Sequence, residues 1–152
     1  MTTRSPQSLR VTKTFSFDMA HALYGHDGPC KNIHGHTYHL AVTLLGQILN
    51  DDTHPKNGMV IDFSDFKNLV HKNVISVYDH ALVLKAGSPH AEINGLSQNF
   101  EKLILSAFQP TCENLLLDMV ERIQKALPAS VHLHALRLQE TPSSYAEWFR
   151  ND

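Results

Sequence analysis

Cysteine, net charge and long apolar runs are all scarce in this chain of 152 residues. Its two cysteines, Cys30 and Cys112, exclude a disulfide scaffold and a zinc site made of cysteine alone. A formal net charge of −2 offers no basic surface, so we expect neither nucleic acid nor membrane as a partner. No apolar run approaches the roughly 20 residues of a membrane span. Residues 1–8 lack the apolar stretch of a secretory signal, so we expect a cytoplasmic protein.

What the chain does contain is a globular composition and 11 histidines. Hydrophobic residues make up 42% and charged residues 18%, which is typical of a folded domain rather than a disordered chain. The polar start predicts a mobile N-terminal tail over 1–8, and the remaining length predicts one domain over 9–152. The number of histidines is the feature that needs an explanation.

Alternating apolar residues indicate strands. Over 9–21 the apolar residues share one parity, and because that parity ends on His21, we expect His21 to continue the buried face. In 131–139 the alternation slips near Ala135, which leaves open a bulge or a strand buried on both faces. Further strands are predicted over 35–48 and 144–150.

Apolar residues at helical spacing predict two helices, over 64–77 and 111–127. Asp62 or Ser64 can cap the first helix, and Thr111 can cap the second. The order strand, strand, helix, helix, strand, strand is typical of an α+β fold, with an antiparallel four-stranded sheet and both helices on one face.

The stretch 83–110, between the two helices, has the weakest pattern. Gly87-Ser-Pro89 signals a loop, and 100–108 is compatible with a short helix.

His34-Gly35-His36 stands at the start of the second predicted strand. Residues i and i+2 of a strand point to one face, so both imidazoles can meet one ion, and His21 can supply a third. Three imidazoles with an open fourth position are the layout of a catalytic zinc site. The pair of His34 and His36 alone is weak evidence for a metal site, since His132 and His134 have the same spacing. We expect the remaining histidines other than His80 at the surface or core edge: His26, His39, His54, His71, His90, His132 and His134.

Three further places carry groups suited to proton transfer. Cys30 precedes His34 by four residues, and a thiol beside a cation can act as base or nucleophile. Asp79-His80 is an adjacent acid and histidine, as general acid–base chemistry favours. Glu140 ends a largely apolar strand, where a carboxylate needs a partner or ligand. Each place also has a non-functional interpretation. Cys30 can be a small buried hydrophobic residue, Asp79-His80 can be a chance dipeptide, and Glu140 can lie at an exposed strand end.

Six motifs together resemble one known family. The chain resembles the 6-pyruvoyltetrahydropterin synthase / 6-carboxytetrahydropterin synthase family from about residue 11 to residue 147. The motifs that carry the resemblance, in order, are Phe17-Asp-Met-Ala-His21, Cys30-Lys-Asn-Ile-His-Gly-His36, Ile61-Asp-Phe63, Asp79-His80, Pro110-Thr-Cys-Glu-Asn114 and Gln139-Glu-Thr141.

The resemblance implies a T-fold (tunnelling fold), whose subunits close a barrel as trimers that stack into a homohexamer. It implies zinc as the cofactor, held by His21, His34 and His36. It also implies that Cys30 is the proton acceptor and that Asp79 and His80 form a proton relay. Glu140 would bind the guanidine-like edge of the pterin, and Thr111 and Glu113 would lie near the pocket.

The substrate implied is 7,8-dihydroneopterin triphosphate, from which triphosphate leaves. The carboxy-forming branch also releases acetaldehyde and yields 6-carboxy-5,6,7,8-tetrahydropterin for queuosine-type deazapurine synthesis. The three residues between Cys30 and His34 resemble that branch, and the pyruvoyl-forming branch is the alternative. A non-catalytic zinc-stabilised pterin-binding protein and an unrelated three-histidine hydrolase remain as rivals. The stretch 85–108 and Cys112 depart from the family's pattern.

Overall fold

The first two strands form the longest ladder of the fold. The computed structural model describes residues 7–151, and in it β1 (Ser8–His21) pairs antiparallel with β2 (His34–Gln47) along their full lengths. The predicted alternation is confirmed, since Phe15 and Phe17 are buried while Ser16 between them is exposed. At the far end of the ladder His21 pairs with His34.

The sheet continues through β5 (Val131–Thr141) beside β2 and β6 (Ser144–Phe149) beside β5, both antiparallel. A register shift where Thr43 and Leu44 meet β5 confirms the predicted slip as a bulge. Before the bulge Val131 and Leu133 are buried, whereas after it Leu136 and Leu138 are buried. The extra residue therefore changes the inward parity from odd to even.

Two short strands extend the sheet beyond the predicted four. β3 (Leu82–Lys85) lies parallel to the end of β1, and β4 (Leu103–Ser106) lies parallel to β3, which gives the order β4-β3-β1-β2-β5-β6. The prediction of a four-stranded, antiparallel sheet is therefore wrong, since the sheet has six strands and two of its pairings are parallel. The helix predicted over 100–108 is also wrong, since this stretch holds β4, and the short helix α3 (Leu96–Asn99) precedes it. Four-residue apolar runs are too short to show whether their period is that of a strand or a helix.

The first predicted helix is interrupted by a wider turn. α1 (Phe63–Val70) begins at the cap Asp62, whose carboxylate accepts from the N–H of Ser64 at 2.7 Å. It passes through a π-helical turn (His71–Ile75) into α2 (Ser76–Tyr78).

The second predicted helix is α4 (Cys112–Ala126). The hydroxyl of its cap, Thr111, accepts from the N–H of Asn114 at 3.2 Å, as the sequence predicts. This cap holds the start of α4 directly after Pro110, whose carbonyl contacts His21.

Both long helices cover the same face of the sheet. The core joins Phe66 of α1 and Met119 of α4 to inward residues of the strands such as Leu40 and Leu136. On the opposite face, strand residues such as Thr12 and His39 are exposed. The α+β class and the placement of the helices on one face are confirmed.

The ends of the chain lie partly outside the described residues. Residues 1–6 of the predicted tail are among these, and Ser8 already pairs with Gln47. Within 7–151, no helix combines the length and the apolar character that a membrane crossing requires.

Replacing Phe66 by alanine should lower the free energy of unfolding by about 3–5 kcal/mol, because Phe66 is fully buried and the change leaves a cavity. Phe63→Ala is the matched control, since Phe63 lies on the same helix with 55% of its surface exposed and should cost less than about 1 kcal/mol. Urea unfolding followed by circular dichroism measures both. Equal losses would contradict this packing of the helix.

Candidate metal centre

Three histidines meet at the end of the β1–β2 ladder. His21 closes β1 directly opposite His34, which opens β2, and His36 follows on the same face. One nitrogen from each ring lies within 4.8 Å of those of the other two. The β1–β2 register therefore brings together the three predicted ligands, and the cluster could hold a metal ion.

Hydrogen bonds settle which ring nitrogens are free in two of these histidines. Nδ1 of His21 lies 2.7 Å from the carbonyl of Pro110, and Nδ1 of His34 lies 2.7 Å from that of Asn32. A carbonyl only accepts, so each Nδ1 carries a proton, and in the neutral form of each ring the lone pair lies on Nε2. These two Nε2 atoms face each other at 3.1 Å. In two neutral rings these lone pairs repel each other, and either a proton or a metal ion between them removes that repulsion.

The geometry and protonation of the cluster suit zinc. Two nitrogens about 2.05 Å from one tetrahedral ion lie roughly 3.3 Å apart, close to the observed separation. Nε2 of His36 is buried and has no hydrogen-bond partner among residues 7–151. Burial lowers the pKa of His21 and of His36, so both rings are neutral at pH 7, as ligation requires.

A carboxylate and a phenol border the cluster. Glu140, near the end of β5, places Oε1 3.9 Å from Nε2 of His36, while its Oε2 accepts from the hydroxyl of Tyr38 at 3.2 Å. Burial, followed by the charge of Glu140, raises the pKa of Tyr38 well above its usual range, so the phenol stays protonated and donates. Glu140 thus has the partner that its position in the sequence requires.

Both thiols lie on segments that reach this region. Cys30 is a free, half-buried thiol in a short 3₁₀ turn (Pro29–Lys31), and its carbonyl accepts from the N–H of Leu23 at 2.9 Å. Cys112 opens α4, and its thiol donates to the carbonyl of Leu138 at 3.3 Å. Burial, then the charge of Glu140, raises the pKa of Cys112 to about 11, which keeps that thiol protonated.

Asp79 and His80 meet each other on a different side of the sheet. Oδ1 of Asp79 lies 3.0 Å from Nδ1 of His80 and accepts from the N–H of Asp18 at 3.1 Å. Although burial opposes it, these two bonds hold the pKa of Asp79 below its usual range.

His80 borders a cavity that Asp18, Thr37 and also His36 line, and the side chains of Asp18 and Thr37 have the parity opposite to that of the clustered histidines. Among the described residues, neither Asp79 nor His80 shares a hydrogen bond with Cys30. The structure therefore does not bring the predicted relay to the predicted thiol within one chain.

Thr111 and Glu113 stand at the N-terminus of α4, beside the segment that contacts His21. The Thr111 hydroxyl is engaged in its capping bond, and Glu113 is exposed in the first helical turn. They lie one and three residues after Pro110, whose carbonyl orients His21.

Known proteins resemble this chain over most of its length. A sequence model of the 6-pyruvoyl tetrahydropterin synthase family matches residues 10–151. The chain belongs to this family.

Named relatives and a solved structure support the assignment. The 6-carboxy-5,6,7,8-tetrahydropterin synthase of Haemophilus influenzae is 37% identical over 141 residues, covering 91% of this chain and 97% of that protein. The dihydroneopterin monophosphate aldolase of Pyrococcus furiosus is 33% identical over 131 residues, covering 86% and 89%. The structure of 6-pyruvoyl tetrahydropterin synthase from Plasmodium vivax has a TM-score of 0.71 at 24% identity, covering 96% of this chain and 99% of that one, and shows the shared fold.

Two groups in this family member were missed from the sequence alone. Pro110 acts through its backbone carbonyl, which no residue pattern reveals. Tyr38 has the same parity in β2 as His34 and His36, and that spacing was the available signal.

Replacing His36 by alanine should weaken zinc binding more than about 100-fold, because even the outer partners of a metal ligand are worth 10–100-fold. His39→Ala is the matched control, since His39 lies on the same strand, is exposed and points to the other face. Zinc per chain after equilibration with a zinc buffer, measured by mass spectrometry, gives both affinities. Equal retention in the two variants would show that His36 is not a ligand.

Proposed function

We propose that this protein is a zinc-dependent lyase that converts 7,8-dihydroneopterin triphosphate and one water molecule to 6-carboxy-5,6,7,8-tetrahydropterin, releasing triphosphate and acetaldehyde. The observation that carries the proposal is the pair of imidazole lone pairs facing each other 3.1 Å apart beside the carboxylate of Glu140. The relative named 6-carboxy-5,6,7,8-tetrahydropterin synthase, at 37% identity, supports the choice of reaction.

His21, His34 and His36 would hold the zinc, leaving one coordination position for substrate oxygen. When bound, the ion supplies Lewis acidity that makes the neighbouring C–H protons of the substrate easier to remove. The carbonyls of Pro110 and Asn32 fix the tautomers and ring orientations of His21 and His34, which would hold the ion in place.

Glu140 would bind the pterin ring. A pterin presents N–H donors in a guanidine-like array, and a carboxylate accepts two such bonds in one plane. Glu140 borders an open cavity together with His36, so a ring held there lies beside the metal position. Thr111 and Glu113 would contact the substrate from the N-terminus of α4.

Cys30 would accept the proton. Its loop leads directly into the ligand His34, and a thiol near a divalent cation ionises more readily than in water. Cys112 is unsuited to this role because its pKa is raised to about 11 and its thiol is engaged with Leu138.

The relay would come from a second subunit. Asp79 and His80 contact each other, and neither shares a hydrogen bond with Cys30 among the described residues, so a neighbouring chain would bring His80 to the thiol. A homohexamer made of two trimers supplies such neighbours, and we propose that assembly here.

The biological setting follows from the product. We propose that the protein works in the cytoplasm, in queuosine-type deazapurine synthesis, with the pterin triphosphate as its partner and with neither nucleic acid nor membrane. Product masses separate the alternatives: turnover without acetaldehyde would indicate the pyruvoyl-forming reaction. Pterin binding without turnover by the zinc-loaded protein would indicate a non-catalytic pterin-binding protein.

Cys30→Ala should lower kcat by about 10²–10⁴-fold, because it removes the proton acceptor while leaving the three histidines in place. Triphosphate release and zinc content are measured on the same preparation. Asp27→Asn, an exposed change in the same loop, serves as the control. Equal turnover by wild type and Cys30→Ala would refute the proposed role of the thiol.

Mixing Cys30→Ala with His80→Ala should restore activity that neither variant has alone. In a random 1:1 hybrid, about one quarter of the sites combine an intact Cys30 with an intact His80 from a neighbour. The variants are denatured together and refolded, and native mass spectrometry verifies that hybrids have formed. Hybrids without activity would place the relay within one chain or remove it from the reaction.

A further inference from the structure

Tyr38 is held rigidly in the middle of the site. It is fully buried, and its ring stacks on Phe17 with centroids 5.3 Å apart and planes 11° apart. The rings of His36 and His21 meet it edge-on, at 5.6 Å and 6.3 Å. These three neighbours leave the ring one orientation, so the direction of its hydroxyl is fixed as well.

The hydroxyl of Tyr38 forms a hydrogen bond with Glu140. It donates to Oε2 at 3.2 Å, while Oε1 of the same carboxylate faces His36 at 3.9 Å. A glutamate side chain has three rotatable bonds, and a strand end leaves it free to turn towards solvent. Tyr38 is the side chain that donates to this carboxylate within 7–151, so it selects the rotamer that Glu140 adopts.

We infer that Tyr38 is a positioning residue that presents the Glu140 carboxylate in the orientation needed to bind the guanidine-like edge of a pterin. The inference rests on the proposed function, since it assigns Glu140 the recognition of that edge. Tyr38 itself makes no contact with the reacting atoms. It acts through Glu140, and its removal should weaken substrate binding rather than slow the chemical step.

A second tyrosine provides a matched control. The hydroxyl of Tyr78 donates to a carboxylate of Asp118, and its ring also packs near Phe17, at 6.5 Å. Asp118 lies on α4, where its carboxylate also accepts from Arg122. Tyr38→Phe and Tyr78→Phe each remove one hydroxyl that bonds a carboxylate and leave the ring in place, but only the first change touches Glu140.

Tyr38→Phe should raise KM for the pterin triphosphate, and Kd for the unreactive pterin neopterin, about tenfold or more, because a hydrogen bond to a charged group is lost. kcat should stay within about twofold and zinc content should be unchanged. Tyr78→Phe should leave KM and Kd at the wild-type values even where its melting temperature falls. Unchanged KM and Kd in Tyr38→Phe, or equal rises in both variants, would overturn the inference.

A substrate-free measurement separates this inference from the proposed function. If the wild-type protein binds no pterin, the proposed function fails, and the crystal structure of Tyr38→Phe decides the positioning role on its own. A Glu140 side chain turned away from His36 would support it, and an unchanged rotamer would overturn it.

Discussion

The antiparallel register of β1 and β2 is the constraint on which the rest of the structure depends. It pairs His21 with His34 at one end and places Phe17 and Leu40 on the same face farther along. A slip of one residue would turn every side chain of one strand to the other face, exposing half of the core and separating the ligands. Core packing and metal binding thus require the same register, and the free energy gained by burying the apolar residues holds the histidines in place.

The bulge between β2 and β5 has a similar consequence for the carboxylate. Without the extra residue near Ala135, the inward parity set by Val131 and Leu133 would carry on to Gln139, and Glu140 would face the polar side. With it, Glu140 lies beside Tyr38 and His36. A local departure from the regular ladder therefore turns the Glu140 side chain towards the histidine cluster, and bulges commonly redirect side chains in this way.

The stretch 85–108 supports the segment that carries Asp79 and His80. Lys102, just before β4, donates to the carbonyls of Ser76 and Asp79 at 2.6 Å each, which secures the end of the first helical segment where Asp79 and His80 follow. His80 takes a left-handed backbone conformation, with φ of 61°, and its N–H donates to the carbonyl of Asp18 at 2.7 Å. Lys102 and the backbone of Asp18 thus hold Asp79 and His80 in place beside the end of β1.

The long strands, both long helices with their caps, and the three histidines were predictable from the residue pattern, because each follows from a regular period or a local capping bond. His21 could be placed on the buried face because the alternation from Phe15 runs on to it. β3 and β4 escaped detection because four-residue strands derive their stability from neighbours far away in the sequence. Long-range packing supplies the rest: the carbonyl of Pro110 contacts His21, the hydroxyl of Tyr38 donates to Glu140, and the N–H of His80 donates to the carbonyl of Asp18. Each of these depends on a long-range contact between segments whose own patterns do not specify their partner.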